Sequence, residues 1–395
     1  MTRPTTARLP FVVWLLTLGT FLMGTSEYIV AGILPQLSAD LGVGIAQGGL
    51  LITVFAAGLI VGPPILSIVT LRLPRRSALV LALVVFALGH ALAAASSSFA
   101  VVLGARVVTA LATGTFWAVA GAVAVSAVPP TARARASAMI ISGVGLATVL
   151  GVPLGALVGG QVGWRGAFWG LAALAGLTAL VIGRFVPAAP RDGATADVRS
   201  EISALRVGRL WLTLATSTLL FGGVLAAYSY VVPLLTDRAG VPVGAISLVL
   251  VGYGIGALAG TWVGGRLGDA RPLATQAGAI AVAGLALVLL QTPLSTSGVA
   301  AVALLVLMGV AGQSVPPVST ALAVRFAPGA PTLAYALATS ALNVGIAGGS
   351  LVGGLALDST LGLTGPALVG TVMIAAALVP LLALAARRAT RDDVG

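Results

Sequence analysis

The chain has 395 residues, of which 58% are hydrophobic and only 8% charged, with a mean hydropathy of +1.11; soluble domains carry roughly a quarter of their residues as charges, so water is not the solvent for most of this surface. The formal charge of +11 sets 21 basic residues, all arginine, against 10 acids, but the arginines sit in short gaps between apolar runs and form no stripe, which excludes a nucleic-acid face. One histidine and no cysteine leave no disulfide framework, thiolate metal site or cysteine nucleophile, and a membrane-embedded enzyme is hard to build from what remains.

Apolar runs near 20 residues recur along the chain, each long enough to cross about 30 Å of hydrocarbon as a helix. Helices are predicted at 11–33, 46–68, 77–96, 99–124, 135–159, 165–187, 209–231, 244–265, 273–293, 298–320, 331–356 and 362–386. The first run, from Phe11, outlasts a signal-peptide core and lacks a cleavage site before Glu27, so it is taken as the first membrane helix. The polar stretch from Arg191 to Arg209, with Asp192, Asp197 and Glu201, separates an N-terminal bundle (1–190) from a C-terminal bundle (209–395) through a linker (191–208).

With the N-terminus placed in the cytoplasm, the outside receives only Arg165 and Arg238, Arg106 falls within a span, and every other arginine lies inside. That asymmetry predicts both termini to be cytoplasmic. The halves also repeat: a constant shift of 198 sets Pro233 on Pro35, Gly240 on Gly42, Gly260 on Gly62, Gly312 on Gly114, Ser340 on Ser142, Gly349 on Gly151 and Gly353 on Gly155. Two six-helix units in one orientation imply a pseudo-two-fold axis along the membrane normal with a site between them, the geometry of a rocking transporter.

Small residues four apart let membrane helices approach closely. Such rails occur at Gly58 and Gly62, at Gly151, Gly155 and Gly159, at Gly252, Gly256, Gly260 and Gly264, and at Gly345, Gly349 and Gly353. Their recurrence in both halves suggests a moving interface between the bundles; static packing is the alternative. Pro153 adds a freed carbonyl and a bend in helix five, and the glycines around it are expected to admit helix eight.

An ionisable side chain within a span costs at least a few kcal/mol and is a functional candidate by default. Glu27 is the one acid well inside a span and Arg106 the one base, at similar predicted depth. Glu27 would bind a proton in one state and release it in another, with Arg106 as its charge partner; a permanently ionised Glu27 holding a cationic substrate, or a structural ion pair, are the alternatives. His90 is expected at the solvated end of helix three. Tyr28, Phe116, Trp117 and Asn343 are candidate cavity residues, the aromatics for stacking and the amide for hydrogen bonds, although an aromatic taken alone more often faces lipid or core.

These residues resemble the major facilitator superfamily over essentially the whole chain. The loop from Ser67 through Arg72, Arg75 and Arg76 is similar to the family's loop between helices two and three, with Leu71 where the family usually has Asp; the sister loop from Gly265 to Arg271 keeps Asp269 but has Ala270 in place of the usual Arg. The resemblance implies that Arg72, Arg75, Arg76 and Asp269 latch the cytoplasmic side, although Arg75 and Arg76 are equally explained as positive-inside anchors. Gly145 to Gly159, with Gly151, Pro153 and Gly155, is similar to the antiporter motif, and Arg106 to Gly114 to the helix-four motif linked with proton transfer. The segment Met23 to Pro35, with Ala57 to Pro64 and Ala330 to Ala334, resembles the drug and sugar efflux branch that includes actinobacterial chloramphenicol exporters, sugar exporters and a purine nucleoside exporter.

The resemblance implies proton-coupled efflux of a small amphipathic compound, first of all a chloramphenicol-type antibiotic, by a monomer in a bacterial cell membrane, with no cofactor. A sugar or nucleoside exporter, or an uncoupled sugar facilitator, is the alternative; a uniporter would have no need of Glu27. The chain has no lysine, hence no phosphate-binding loop for ATP.

Overall fold

The computed structural model describes residues 9–69, 73–129, 132–186, 206–328 and 330–392. Arg72 and nearly all of the expected 191–208 linker lie outside the described residues, as does the side chain of Asp269. Among the described residues, twelve helices are long and apolar enough to cross a membrane: α1 (Phe11–Asp40), α2 (Ile45–Gly62), α3 (Arg75–Ala95), α4 (Phe99–Ser126), α5 (Arg135–Val162), α6 (Trp164–Phe185), α7 (Gly208–Tyr228), α8 (Val243–Gly268), α9 (Pro272–Gln291), α10 (Gly298–Phe326), α11 (Leu333–Leu357) and α12 (Gly362–Ala386). Large apolar side chains such as Leu180, Leu248 and Val379 face outward from the bundle, as a lipid-facing surface requires.

Most ends fall close to the predicted ones, but α1 runs on through Pro35 to Asp40. It stops where Gly42 takes φ +66°, a left-handed conformation that glycine adopts without a Cβ penalty. The amides of Gly42 and Val43 turn back onto Ala39 O and Ser38 O, satisfying two of the final carbonyls. Gly240, the residue 198 positions later, has the same φ of +66° after α7, so the repeat read in the sequence is present in the backbone. The two equivalent helices nevertheless differ. Whereas α1 is continuous, the α-helix of α7 ends at Tyr228, turns at Ser229 and Tyr230, and resumes as Val231–Pro233 followed by a wide π-turn over Leu234–Arg238.

The glycine rails pack within each group of six helices and not between the groups. A Cβ on Gly155 of α5 would stand 2.6 Å from Ile29 Cγ1 of α1, and one on Gly151 would stand 2.9 Å from Thr25 Cβ. Gly58 and Gly62 of α2 face Ala110 and Leu111 of α4; Gly256, Gly260 and Gly264 of α8 face backbone carbonyls of α10; Gly345, Gly349 and Gly353 of α11 face α7. The pairs obey the repeat, α5 on α1 matching α11 on α7 and α2 on α4 matching α8 on α10. The expected moving interface is therefore corrected: these rails let helices of one group approach to backbone contact, which fixes that group internally.

The two groups meet elsewhere. Helix α2 packs on α11, and α5 packs on α8. In α5 the residues Ala147–Gly151 form a π-turn in which Val152 N–H reaches Ala147 O, just before Pro153, which has no N–H to give. The close approach to this widened turn comes from α8: a Cβ on Gly254 would lie 2.6 Å from Thr148 O. The expectation that Gly151 and Gly155 admit α8 is thus replaced by Gly254 of α8 approaching the α5 turn. Near the α1–α2 connection, Ser350 Oγ of α11 donates to Gly49 O of α2 at 3.3 Å, and the Tyr230 hydroxyl donates to Ser350 O at 2.8 Å. The Tyr230 ring lies against Gly49 and Gly354 with no room for a Cβ on either. At the opposite end, an apolar cluster including Leu210, Leu214, Ala323 and Ala334 draws all its residues from α7, α10, α11 and their adjoining turns. Among the described residues, Tyr230, Gly49, Ser350 and Gly354 thus join the groups at the end that carries the α1–α2 and α7–α8 connections.

Candidate functional site

A small cavity lies on the line where the two groups meet. Glu27 and Tyr28 of α1, Phe55 of α2, Tyr228 and Ser229 at the break of α7, and Ile346 of α11 line it. The extension of α1 puts Glu27 near the middle of a 30-residue helix, with only 8% of its surface exposed. The hydroxyl of Tyr28 lies beside its carboxyl group. Across the cavity, Tyr228 stacks on Tyr253 of α8, with ring centroids 4.3 Å apart and planes inclined by 23°. The break in α7 is what turns Tyr228 and Ser229 towards α1, so the irregular backbone sits where it borders a cavity and not lipid.

Arg106 is buried beside this cavity but forms no ion pair with Glu27. Arg165 pairs with Asp40, which also accepts a 2.8 Å hydrogen bond from Trp164 Nε1. Arg106 instead donates from Nε to Leu51 O of α2 (3.3 Å) and from Nη1 to both Ser26 O (3.0 Å) and Ser26 Oγ (2.9 Å) of α1. Its guanidinium carbon lies 4.0 Å from the centroid of the Phe55 ring, a cation–π contact made strong by burial. The remaining nitrogen, Nη2, is buried without a hydrogen-bond partner. The arginine and Glu27 are near enough for their charges to act on one another.

His90, expected at a solvated helix end, is 1% exposed and belongs to this cluster. Its Nδ1 is 2.9 Å from Phe86 O, one turn back on α3, and its Nε2 is 2.9 Å from Ser26 Oγ. A carbonyl only accepts, so Nδ1 carries the proton; in the neutral ring Nε2 is then bare and accepts the Ser26 hydroxyl. The ring makes a tilted contact with Phe86, centroids 4.2 Å apart, and an edge contact with Phe168 at 5.3 Å.

The other sequence candidates are distributed differently. Phe116 is fully buried with its ring edge at Gly19 of α1, a helix-packing wedge rather than a cavity residue. Trp117 packs on Phe55 and Leu59 of α2, its indole N–H buried without a partner. Asn343 of α11 is 4% exposed, donates to Thr339 O of its own helix at 3.1 Å and leaves Oδ1 unpartnered, one turn from the cavity residue Ile346. Arg75 donates to Ser126 Oγ at 3.0 Å at the far end of α4, and Arg76 is half-buried nearby at the start of α3. Sequence reasoning left Ser26, Phe55, Tyr228 and Tyr230 unmarked; only Ser26, beside the buried acid, carried a local signal.

Twelve membrane-length helices in two related sets of six, meeting around a cavity that holds a single buried acid, define a membrane solute transporter and not an enzyme. The chain belongs to the major facilitator superfamily, whose sequence profile matches residues 16–313. It is 38% identical over 377 residues to a chloramphenicol resistance protein of Streptomyces lividans, covering 94% of this chain and 95% of that one. It is 30% identical over 376 residues to the inner membrane transport protein YdhP of Escherichia coli K12, with 94% and 95% covered. A probable sugar efflux transporter of Mannheimia succiniciproducens is 28% identical over 369 residues, with 93% and 92% covered. Among solved structures, a bacterial homologue of the human lysosomal transporter Spinster, in an inward-facing and occupied conformation, has the same fold, with a TM-score of 0.71 at 19% identity and 95% of both chains covered. The protein is accordingly a multi-pass bacterial membrane transporter.

Proposed function

We propose that this transporter exports a small amphipathic compound, first of all a chloramphenicol-type antibiotic, in exchange for protons. The observation that carries the proposal is Glu27: the one acid lining the cavity, nearly out of contact with water, with a buried arginine close by but not paired to it. A carboxyl group kept there without an ion-pair partner is expensive to maintain, and proton exchange gives it a use. The identity to a chloramphenicol resistance protein, at 38% over nearly the full length, supports the choice of substrate.

In this mechanism residues 1–190 and 209–395 rock as two bodies about the cavity, with both termini and most arginines in the cytoplasm. The joined end of the bundle then faces outward, and the cavity is reached from the cytoplasm. Substrate entering from the cytoplasm stacks on Tyr28 and the Tyr228–Tyr253 pair and displaces the Glu27 proton to that side. Rocking exposes the cavity to the outside, where protonation of Glu27 expels the substrate and resets the protein. Proton and substrate compete for one site, so each inward proton is tied to an outward substrate.

The test is energised efflux of labelled chloramphenicol from a pump-deficient bacterium, with wild type and Glu27→Gln at matched membrane levels. Protonophore-sensitive export in wild type, lost in Glu27→Gln, is the expected result; export that survives the substitution removes Glu27 from the coupling step. The probable sugar efflux transporter among the relatives favours a sugar as second substrate class. Labelled arabinose in the same assay distinguishes the two.

A further inference from the structure

The hydrogen bonds around Arg106 are asymmetric in a way the coupling scheme does not explain. A buried guanidinium close to a buried carboxyl gains most by pairing with it, through parallel charge-assisted bonds. Here the guanidinium is turned to Ser26 and Leu51 and seated on Phe55, and Nη2 has no partner. The Ser26 hydroxyl can accept from Arg106 with its hydrogen directed elsewhere, and His90 Nε2 takes that hydrogen at 2.9 Å. Donation to His90 polarises the Ser26 oxygen and fixes its rotamer, which strengthens it as an acceptor for Arg106. The backbone bond from Nδ1 to Phe86 O in turn fixes the tautomer that leaves Nε2 bare. The titratable and charged groups near this chain are Arg106 from α4, Glu27 and Tyr28 from α1, and across the cavity Tyr228 of α7 and Tyr253 of α8, while α6 presents Phe168 to the His90 ring.

We propose that Ser26 and His90 form an anchor that holds the Arg106 guanidinium away from Glu27, keeping the carboxyl group unpaired and able to take a proton in this conformation. The inference rests on the coupling role given to Glu27. Ser26 and His90 are positioning residues, acting on the acid only through the arginine. Release of the anchor on rocking lets Arg106 turn to Glu27 and pair with it, so one switch of hydrogen-bond partners separates a proton-binding state from a proton-releasing one.

The test needs no substrate. Dicyclohexylcarbodiimide reacts with a protonated carboxyl group in an apolar site, and mass spectrometry of the full-length protein in lipid nanodiscs reads labelling at Glu27, with Glu27→Gln as the blank. In Ser26→Ala the arginine keeps only its backbone bonds to Ser26 O and Leu51 O, the balance moves towards pairing with the acid, and labelling falls by about tenfold, the effect of an opposite charge brought within ~4–6 Å of a carboxylate. His90→Leu falls in the same direction, while Ser26→Thr and His90→Gln, which keep the hydroxyl and an acceptor, label as wild type. General loosening of the bundle would also lower labelling, by letting water ionise the acid; the anchor therefore requires the loss in Ser26→Ala and His90→Leu at an unchanged melting temperature, and a loss that comes only with a lowered melting temperature overturns it. Equal labelling of wild type and Ser26→Ala overturns the anchor and leaves the coupling role of Glu27 intact. No labelling of wild type from pH 5 to pH 8 means the acid is ionised throughout, and both fall.

Discussion

Arg106 shows how a single side chain ties helices together and what its replacement would break. It joins α4 to the backbone of α2 at Leu51 and to α1 at Ser26, and its flat face rests on Phe55. Arg106→Lys keeps the charge but loses the planar fork and the stacking surface, and a compact ammonium cannot reach both carbonyls in the same way. Hydrogen bonds to a charged group are worth about 1.5–3 kcal/mol. Export in Arg106→Lys is therefore expected to fall at least about tenfold at equal membrane abundance; a lysine variant with wild-type export would show that the charge alone matters. Glu27 and Arg106 were legible in the sequence because an ionisable residue in an apolar run stands out without any knowledge of its neighbours. Ser26 had only its place beside Glu27 to mark it, because the cluster exists only where α1, α2, α3 and α4 converge, and a lone histidine near a helix end looks the same whether it meets water or a buried serine. Phe116 was misplaced for a related reason: an aromatic beside a glycine-rich helix fits a wedge as well as a cavity, and only the Gly19 contact decides between them.

The glycine rails raise the same question at the scale of the helix. A spacing of four marks a face that another helix approaches, and that much was readable; it carries no information about which helix comes. The faces turned out to point into each six-helix group, and the contact between groups at α5 and α8 depends on Gly254, which lies off the α8 rail. Two substitutions separate the roles. Gly155→Leu drives a side chain into Ile29 within one group, an overpacking that costs about 1–3 kcal/mol or more. It is expected to lower the melting temperature and the yield of folded protein in detergent. Gly254→Leu meets the Thr148 carbonyl between the groups, so the protein is expected to fold with near-normal melting but to lose export, because the joined arrangement is disfavoured. If Gly254→Leu melts as early as Gly155→Leu, the division into internal packing and moving contact is wrong. The break in α7 was equally hidden, since its apolar run reads as continuous as that of α1, and the turn at Ser229 and Tyr230 is set by the cavity it borders.

At the scale of the whole molecule, the repeat predicts two bodies and the contacts predict where they part. The joined end is closed by small residues: Gly49 of α2 and Gly354 of α11 leave just enough room for the Tyr230 ring, and Ser350 Oγ bridges to Gly49 O. A contact with so little side-chain interlocking can separate without unpacking either group, which suits a gate better than a core. The absence of cysteine makes the motion measurable, since spin labels can be placed at Gly44→Cys, in the open connection after α1, and at Thr360→Cys, in the exposed turn after α11, with no background to remove. Electron–electron resonance on this pair should give mainly a short distance in lipid nanodiscs. Gly49→Val adds a side chain whose Cβ would lie 2.7 Å from Tyr230 Cζ, and at about 1–3 kcal/mol of overpacking it should move the balance towards a longer distance by roughly tenfold or more. The same substitution should leave melting largely unchanged, because Gly49 touches the opposite group and not its own rails. An unchanged distance distribution in Gly49→Val would mean that the two groups do not separate at this end, and that the rocking axis has to be sought elsewhere along α2 and α11.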